Sequence, residues 1–65
     1  MRDGTNRSDI RPGLAVAITL KKDQGTNRVV QGFVQDILTS KAHHPRGIKV
    51  RLTTGEVGRV RVIVD

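Results

Sequence analysis

Gly47-Ile48-Lys49-Val50-Arg51-Leu52-Thr53-Thr54-Gly55-Glu56-Val57-Gly58-Arg59-Val60-Arg61-Val62-Ile63-Val64 reads as a β-hairpin. Ile48, Val50 and Leu52 alternate with Lys49, Arg51 and Thr53, and Val60, Val62 and Val64 alternate with Arg59, Arg61 and Ile63. A period of two sends one set into a core and the other outside. Thr54-Gly55 suits a two-residue turn, since Gly accepts positive φ. That turn places Thr53 opposite Glu56 and Leu52 opposite Val57. Continued without interruption, it would set Val50 against Arg59 and send an arginine inward. A bulge at Gly58 absorbs the slip. Val50 then faces Val60, Ile48 faces Val62, Arg51 faces Arg59 and Lys49 faces Arg61. Each like-charged pair costs roughly 0.2–1 kcal/mol. An anion site explains such pairs. The plainer explanation is a solvated face, or an edge strand that Lys and Arg protect from aggregation.

Composition narrows the class. The chain has 65 residues, enough for one domain at most. A closed or nearly closed sheet with a Val/Ile/Leu interior is about all it can bury. Cysteine is absent, which excludes disulfides and thiolate metal sites and fits a cytoplasmic location. No stretch is apolar and long enough to span a membrane, and the N-terminus lacks a signal-peptide core. Twelve Lys and Arg against six Asp and Glu give +6, which favours a polyanionic partner, usually nucleic acid. The excess lies late in the chain, on Lys41, Arg46, Lys49, Arg51, Arg59 and Arg61.

Met1–Asp9 is polar and without periodicity, as expected of a disordered tail before a domain spanning residues 10–65. Arg2 and Arg7 are offset there by Asp3 and Asp9. Arg11-Pro12-Gly13 signals a turn. Leu14–Leu20 follows as a strand with Leu14, Val16, Ile18 and Leu20 on one face. Lys21–Arg28 is an exposed loop. Val29–Leu38 is a second strand whose alternation changes parity, which places a bulge near Gln35-Asp36. Gly32 marks a bend or a close approach. Thr39–Gly47 is the longest loop, with Pro45 keeping His44 out of the helical region. No segment has a sustained helical period. The expected architecture is a small SH3-like, KOW-like antiparallel barrel of four to five strands. The expected strands are Leu14–Leu20, Val29–Leu38, Ile48–Thr53 and Glu56–Val64. The expected core is Val16, Ile18, Val34, Ile48, Val50, Leu52, Val60 and Val62.

Two resemblances can be placed on these residues. Gly13, Val16 and Ile18, then Gly32, Val34 and Ile37, resemble the glycine–hydrophobic frame of KOW segments in ribosomal and transcription-elongation proteins. Over almost all of Ile10–Ile63 the chain resembles the YwbE-like family of small bacterial proteins. The match runs through Ile10-Arg11-Pro12-Gly13, Lys22-Asp23-Gln24, Asp36-Ile37-Leu38-Thr39, His44-Pro45, Gly47–Leu52 and Gly55–Val60. The chain departs from the family in the first loop, where Gly25 precedes Thr26 and the family tends to carry a Thr-Gly pair. The resemblance implies the barrel and no particular activity.

The residues argue against an enzyme. The hydroxyls Thr39, Ser40, Thr53 and Thr54 lie in turns without a recognisable base, and no phosphate loop leads into a helix. His43 and His44 are adjacent and lack a third metal ligand at useful spacing, so no metal or other cofactor is expected. Phe33 is the only aromatic residue and is assigned to the core. Readers of single strands stack bases on aromatic platforms, so binding here is expected to rest on phosphate contact. Lys49, Arg51, Arg59 and Arg61 are the expected contacts, with Arg46 and Lys41 at the rim. The expected partner is RNA or a ribonucleoprotein, with no membrane and no small-molecule substrate. The competing expectation is a module that takes an acidic protein by strand addition.

Overall fold

The computed structural model describes residues 3–20 and 28–64. Four strands form: β1 (Ala15–Leu20), β2 (Val30–Ile37), β3 (Lys49–Leu52) and β4 (Val57–Ile63). Each lies within a residue of its expected bounds at either end. Each strand pairs antiparallel with the next, and β4 returns to β1, which closes the barrel. Among the described residues the one helical element is a 3-10 turn at Arg7–Asp9.

Parity explains most of the interior, although β1 is buried on both faces at Val16–Thr19. Val16 and Ile18 of β1, Val34 of β2, Val50 and Leu52 of β3 and Val60 of β4 are buried, together with Ile48 just before β3. Ile10 caps this core, and Leu14, Leu20, Val30 and Ile37 pack around it. The turn at the entrance to β1 is closed by the Leu14 N–H donating to the Arg11 carbonyl at 3.1 Å. Pro12 and Gly13 sit at its centre, Gly13 with φ 91°, as a type II turn requires. The bulge expected near Gln35-Asp36 is present. Val34 pairs with Leu52 and Asp36 with Arg51, which leaves Gln35 as the extra residue. Gly32 is the close approach. A Cβ there would lie 2.8 Å from Leu52 Cδ1.

The hairpin differs from expectation in its register. Lys49 faces Arg59, Val50 faces Gly58 and Arg51 faces Val57, in an unbroken ladder. Gly58 is therefore not a bulge in the β3–β4 ladder. The one-residue offset is taken up by the turn, where the Leu52 N–H donates to the Glu56 carbonyl at 2.8 Å and the Gly55 N–H to the Leu52 carbonyl at 2.9 Å. The loop is thus Thr53-Thr54-Gly55, three residues long, with Gly55 at φ 100°, a standard three-residue hairpin solution. Gly58 serves another purpose: a Cβ on it would lie 2.4 Å from the Thr19 carbonyl oxygen, so β1 and β4 meet only because it has none.

The bulge in β4 lies further on, at Arg61. Ile18 pairs with Val60 and Ala17 with Val62, so Arg61 has no β1 partner. Closing so small a barrel bends β4 sharply, and a bulge is how a strand bends. Parity reverses beyond it. Ile63 is fully buried, and Val62, expected in the core, is only half-buried. Phe33, also assigned to the core, is 57% exposed. It stands between the inward Gly32 and Val34, so alternation sends it outside.

The stretch expected as a disordered tail, Met1–Asp9, lies outside the described residues at Met1 and Arg2. From Asp3 it runs along the β2–β3 loop. The Ile48 N–H donates to the Gly4 carbonyl (2.9 Å), the His44 N–H to the Thr5 carbonyl (2.9 Å) and the Arg7 N–H to the Ala42 carbonyl (2.8 Å). The first loop, with its departure from the family pattern at Gly25-Thr26, also lies largely outside the described residues.

Candidate nucleic-acid interface

β3 turns Lys49 and Arg51 outward, and β4 contributes Arg59 and Arg61. Lys49 stands directly opposite Arg59. The hairpin therefore carries one like-charged pair instead of the two expected, and Arg51 and Arg61 stand outside it. Arg51 reaches across the β2–β3 ladder, where its Nη1 lies 3.3 Å from Asp36 Oδ2. Both side chains are close to half exposed, so the pair adds little stability but cancels local charge. Arg59 is half-buried, and its Nη1 donates to the Gly47 carbonyl at 3.1 Å. It was expected to point freely into solvent. The hydrogen bond instead holds its guanidinium at the base of the hairpin. Arg61 is exposed on the β4 bulge.

The β2–β3 loop brings the rim cations onto this surface. The Gly47 N–H donates to the His44 carbonyl at 3.0 Å, which closes a turn on Pro45-Arg46. The Arg46 N–H donates to His44 Nδ1 at 3.2 Å. The Lys49 N–H donates to Thr39 Oγ1 at 2.7 Å, tying the start of the loop to β3. The His44 imidazole is held below its ordinary pKa, first by partial desolvation and then by the charges of Arg59, Lys41, Arg46 and His43. Lys49 stands beside Arg59, and Arg59 is bonded at Gly47 to the foot of the loop that carries Lys41 and Arg46. Arg61 flanks Arg59 on β4, and Arg51 lies at the margin beside Asp36.

The sequence reading gave Arg7 little weight. The structure sets it at the start of this loop, with Nε donating to the Thr39 carbonyl at 2.9 Å. Asn6 bridges to His43, and its Oδ1 lies 3.1 Å from His43 Nδ1. Only the paired course of the N-terminal segment reveals this. Among the described residues no three His, Cys, Asp or Glu side chains gather where they would hold a metal ion. No helix there is long and apolar enough to cross a membrane.

A closed antiparallel barrel with a cationic outer face defines the class of molecule. Residues 3–63 match the family described as "Uncharacterized conserved protein (DUF2196)". The chain is 50% identical over 63 residues to the "Uncharacterized protein YwbE" of Bacillus subtilis (strain 168), covering 97% of each chain. The chain belongs to this YwbE-like family. No solved structure matches it.

Proposed function

We propose that this protein is a small, non-enzymatic, cytoplasmic RNA-binding protein that holds phosphates on the outer face of its C-terminal hairpin and the adjoining β2–β3 loop. The observation that carries this reading is Lys49 directly across from Arg59 on the outer face of the hairpin, with Arg59 bonded to Gly47 at the foot of the loop that carries the exposed Lys41 and Arg46. Folding alone would avoid such a concentration of like charge. A phosphate oxygen supplies the missing counter-charge and accepts from Arg and Lys donors at once. A ribonucleoprotein surface offers the same chemistry. The alternative, strand addition by an acidic protein, has less support. Each described strand has a neighbour on both sides, which leaves an added strand only the short stretches the ladders do not reach, such as the β3 side of residues 30–32 in β2.

The test is RNA binding as a function of salt. If about four phosphates are engaged, the log–log slope is near −2.8, and affinity drops roughly 50-fold between 50 and 200 mM salt. Arg46→Glu with Lys49→Glu is the informative pair. Both residues are exposed, and Lys49→Glu relieves the repulsion from Arg59, so the variant should melt no lower than the wild type while its RNA binding collapses. Undiminished binding by the double variant would remove this face from consideration.

A further inference from the structure

Phe33 is the chain's only aromatic residue, and it stands on the outer face of β2 with more than half its surface exposed. Beside it is an open groove of about 200 Å³, lined by Ala15, Val16, Gln31, Gly32, Phe33 and Val64. We propose that this groove takes one unstacked nucleobase from a single-stranded segment of the bound RNA, stacked on Phe33, with the Gln31 amide beside it to meet the base edge. The proposal rests on the phosphate-binding reading and gives it a substrate class, single-stranded RNA.

Three observations select a base over other occupants. The groove is smaller than the roughly 300–1,000 Å³ typical of sites for drug-sized ligands, which suits a single flat ring. A stable protein interface needs about 800 Å² from each partner. The described chain exposes 4278 Å² in all, and Ala15, Phe33 and Val64 are too small a patch to supply that share. Lastly, the groove adjoins the turn end of the hairpin that carries the cations. The Thr53 N–H donates to the Phe33 carbonyl at 2.9 Å, so Phe33 lies beside the start of the hairpin turn. From Thr53 the outward residues of β3 run through Arg51 to Lys49, about 13 Å at the usual rise per residue. On the other side Arg61 lies three residues before Val64 on β4. A strand with its base on Phe33 therefore has cations on either side for its phosphates. Stacking accepts any base, because every base has a π-face.

Two variants test it, each measured against a labelled single-stranded oligoribonucleotide and against the same sequence as a duplex. Phe33→Leu keeps the groove apolar but removes the π-face. It should weaken single-strand binding by roughly 5- to 150-fold. The salt slope and the duplex affinity should stay as in the wild type. Phe33→Trp should restore single-strand affinity. As the only tryptophan of the chain, its fluorescence should be quenched by the single strand and not by the duplex. If Phe33→Leu binds the single strand as tightly as the wild type, the groove is not a base site, and the phosphate reading still stands. A wild type that binds neither form at low salt overturns both readings. A wild-type mass that rises with concentration in light scattering, and falls back in Phe33→Leu, would assign the groove to a contact between copies and overturn the proposal.

Discussion

Gly58 and Val60, two residues apart on β4, face the same interior and fail in opposite ways. Gly58 has no room for a methyl group, because a Cβ would lie 2.4 Å from the Thr19 carbonyl oxygen and 3.2 Å from Ile18 Cδ1. The obstacle is mainly backbone, so Gly58→Ala must push β1 and β4 apart. It should cost about 1–3 kcal/mol, as overpacking does. In a domain of this size each kcal/mol lowers Tm by roughly 4–8 °C, so a thermal melt reads the change directly. Val60→Ala has the reverse effect, leaving a void in a core with few other side chains to relax into it. Its cost should also be about 1–3 kcal/mol. An unchanged Tm in either variant would contradict the facing described for β4.

At the scale of the element, the hairpin sets stability against binding. Lys49 and Arg59 repel each other across the β3–β4 ladder. Lys49→Glu turns that repulsion into attraction and should stabilise the fold by roughly 0.2–1 kcal/mol. The same change should weaken RNA binding several-fold and make the salt slope shallower by about 0.7, one contact fewer. A raised Tm together with lost affinity is the signature of a charge kept for a ligand. A variant that loses both would show Lys49 to be structural. The β2–β3 loop adds a pH term. His44 titrates below its free value of 6.5, through partial desolvation and the cations Arg59, Lys41 and Arg46 with His43. The unfolded chain therefore takes up that proton more readily than the folded one. The contribution is present above pH 6.5 and is lost as pH falls through the lowered folded value. A bound phosphate reverses the preference, because it favours the imidazolium. RNA affinity should thus rise as pH falls below 6.5, with proton uptake on binding, while the free protein loses stability. His44→Gln should flatten both trends in parallel titrations of Tm and Kd.

The whole molecule determines which partners it can take. Closure gives every described strand a neighbour on both sides, so recognition falls mainly to side chains on the outer face and to the loop. Exposed cations and a single exposed ring on so small a barrel suit a flexible, sequence-tolerant polyanion better than a rigid protein epitope. The β2–β3 loop is not left to itself. The N-terminal segment ties it down through Gly4, Thr5, Asn6 and Arg7. Removing residues 1–7 should therefore weaken RNA binding more than the loss of Arg2 and Arg7 explains. The matched control is Arg2→Ala with Arg7→Ala in the full-length chain. Equal affinities for the truncation and this control would show that the paired segment does not organise the site.

The alternation in Ala15–Leu20, Lys49–Leu52 and Val57–Ile63 is local, and so strand identity, the antiparallel barrel and most of the core follow from the sequence alone. The bulge at Gln35 was legible for the same reason, since parity visibly changes between Val34 and Ile37. The cation cluster was legible as a composition of residues but not as an arrangement. A one-residue choice between a two-residue and a three-residue turn moved every cross-strand pair. Only the hydrogen bonds around Leu52, Gly55 and Glu56 decide it. The exchange of Val62 for Ile63 comes from a bulge that barrel closure demands, and no local pattern carries closure. Phe33 was assigned inward because aromatic rings ordinarily seek the core. Its neighbours Gly32 and Val34 hold the inward positions, and Leu52 occupies the space beside Gly32. Arg7 joins the loop through backbone pairing across more than thirty residues of sequence. Local pattern therefore determined which residues form strands, while closure of the barrel decided which charges meet and which ring stays exposed, because those depend on register summed around the whole sheet.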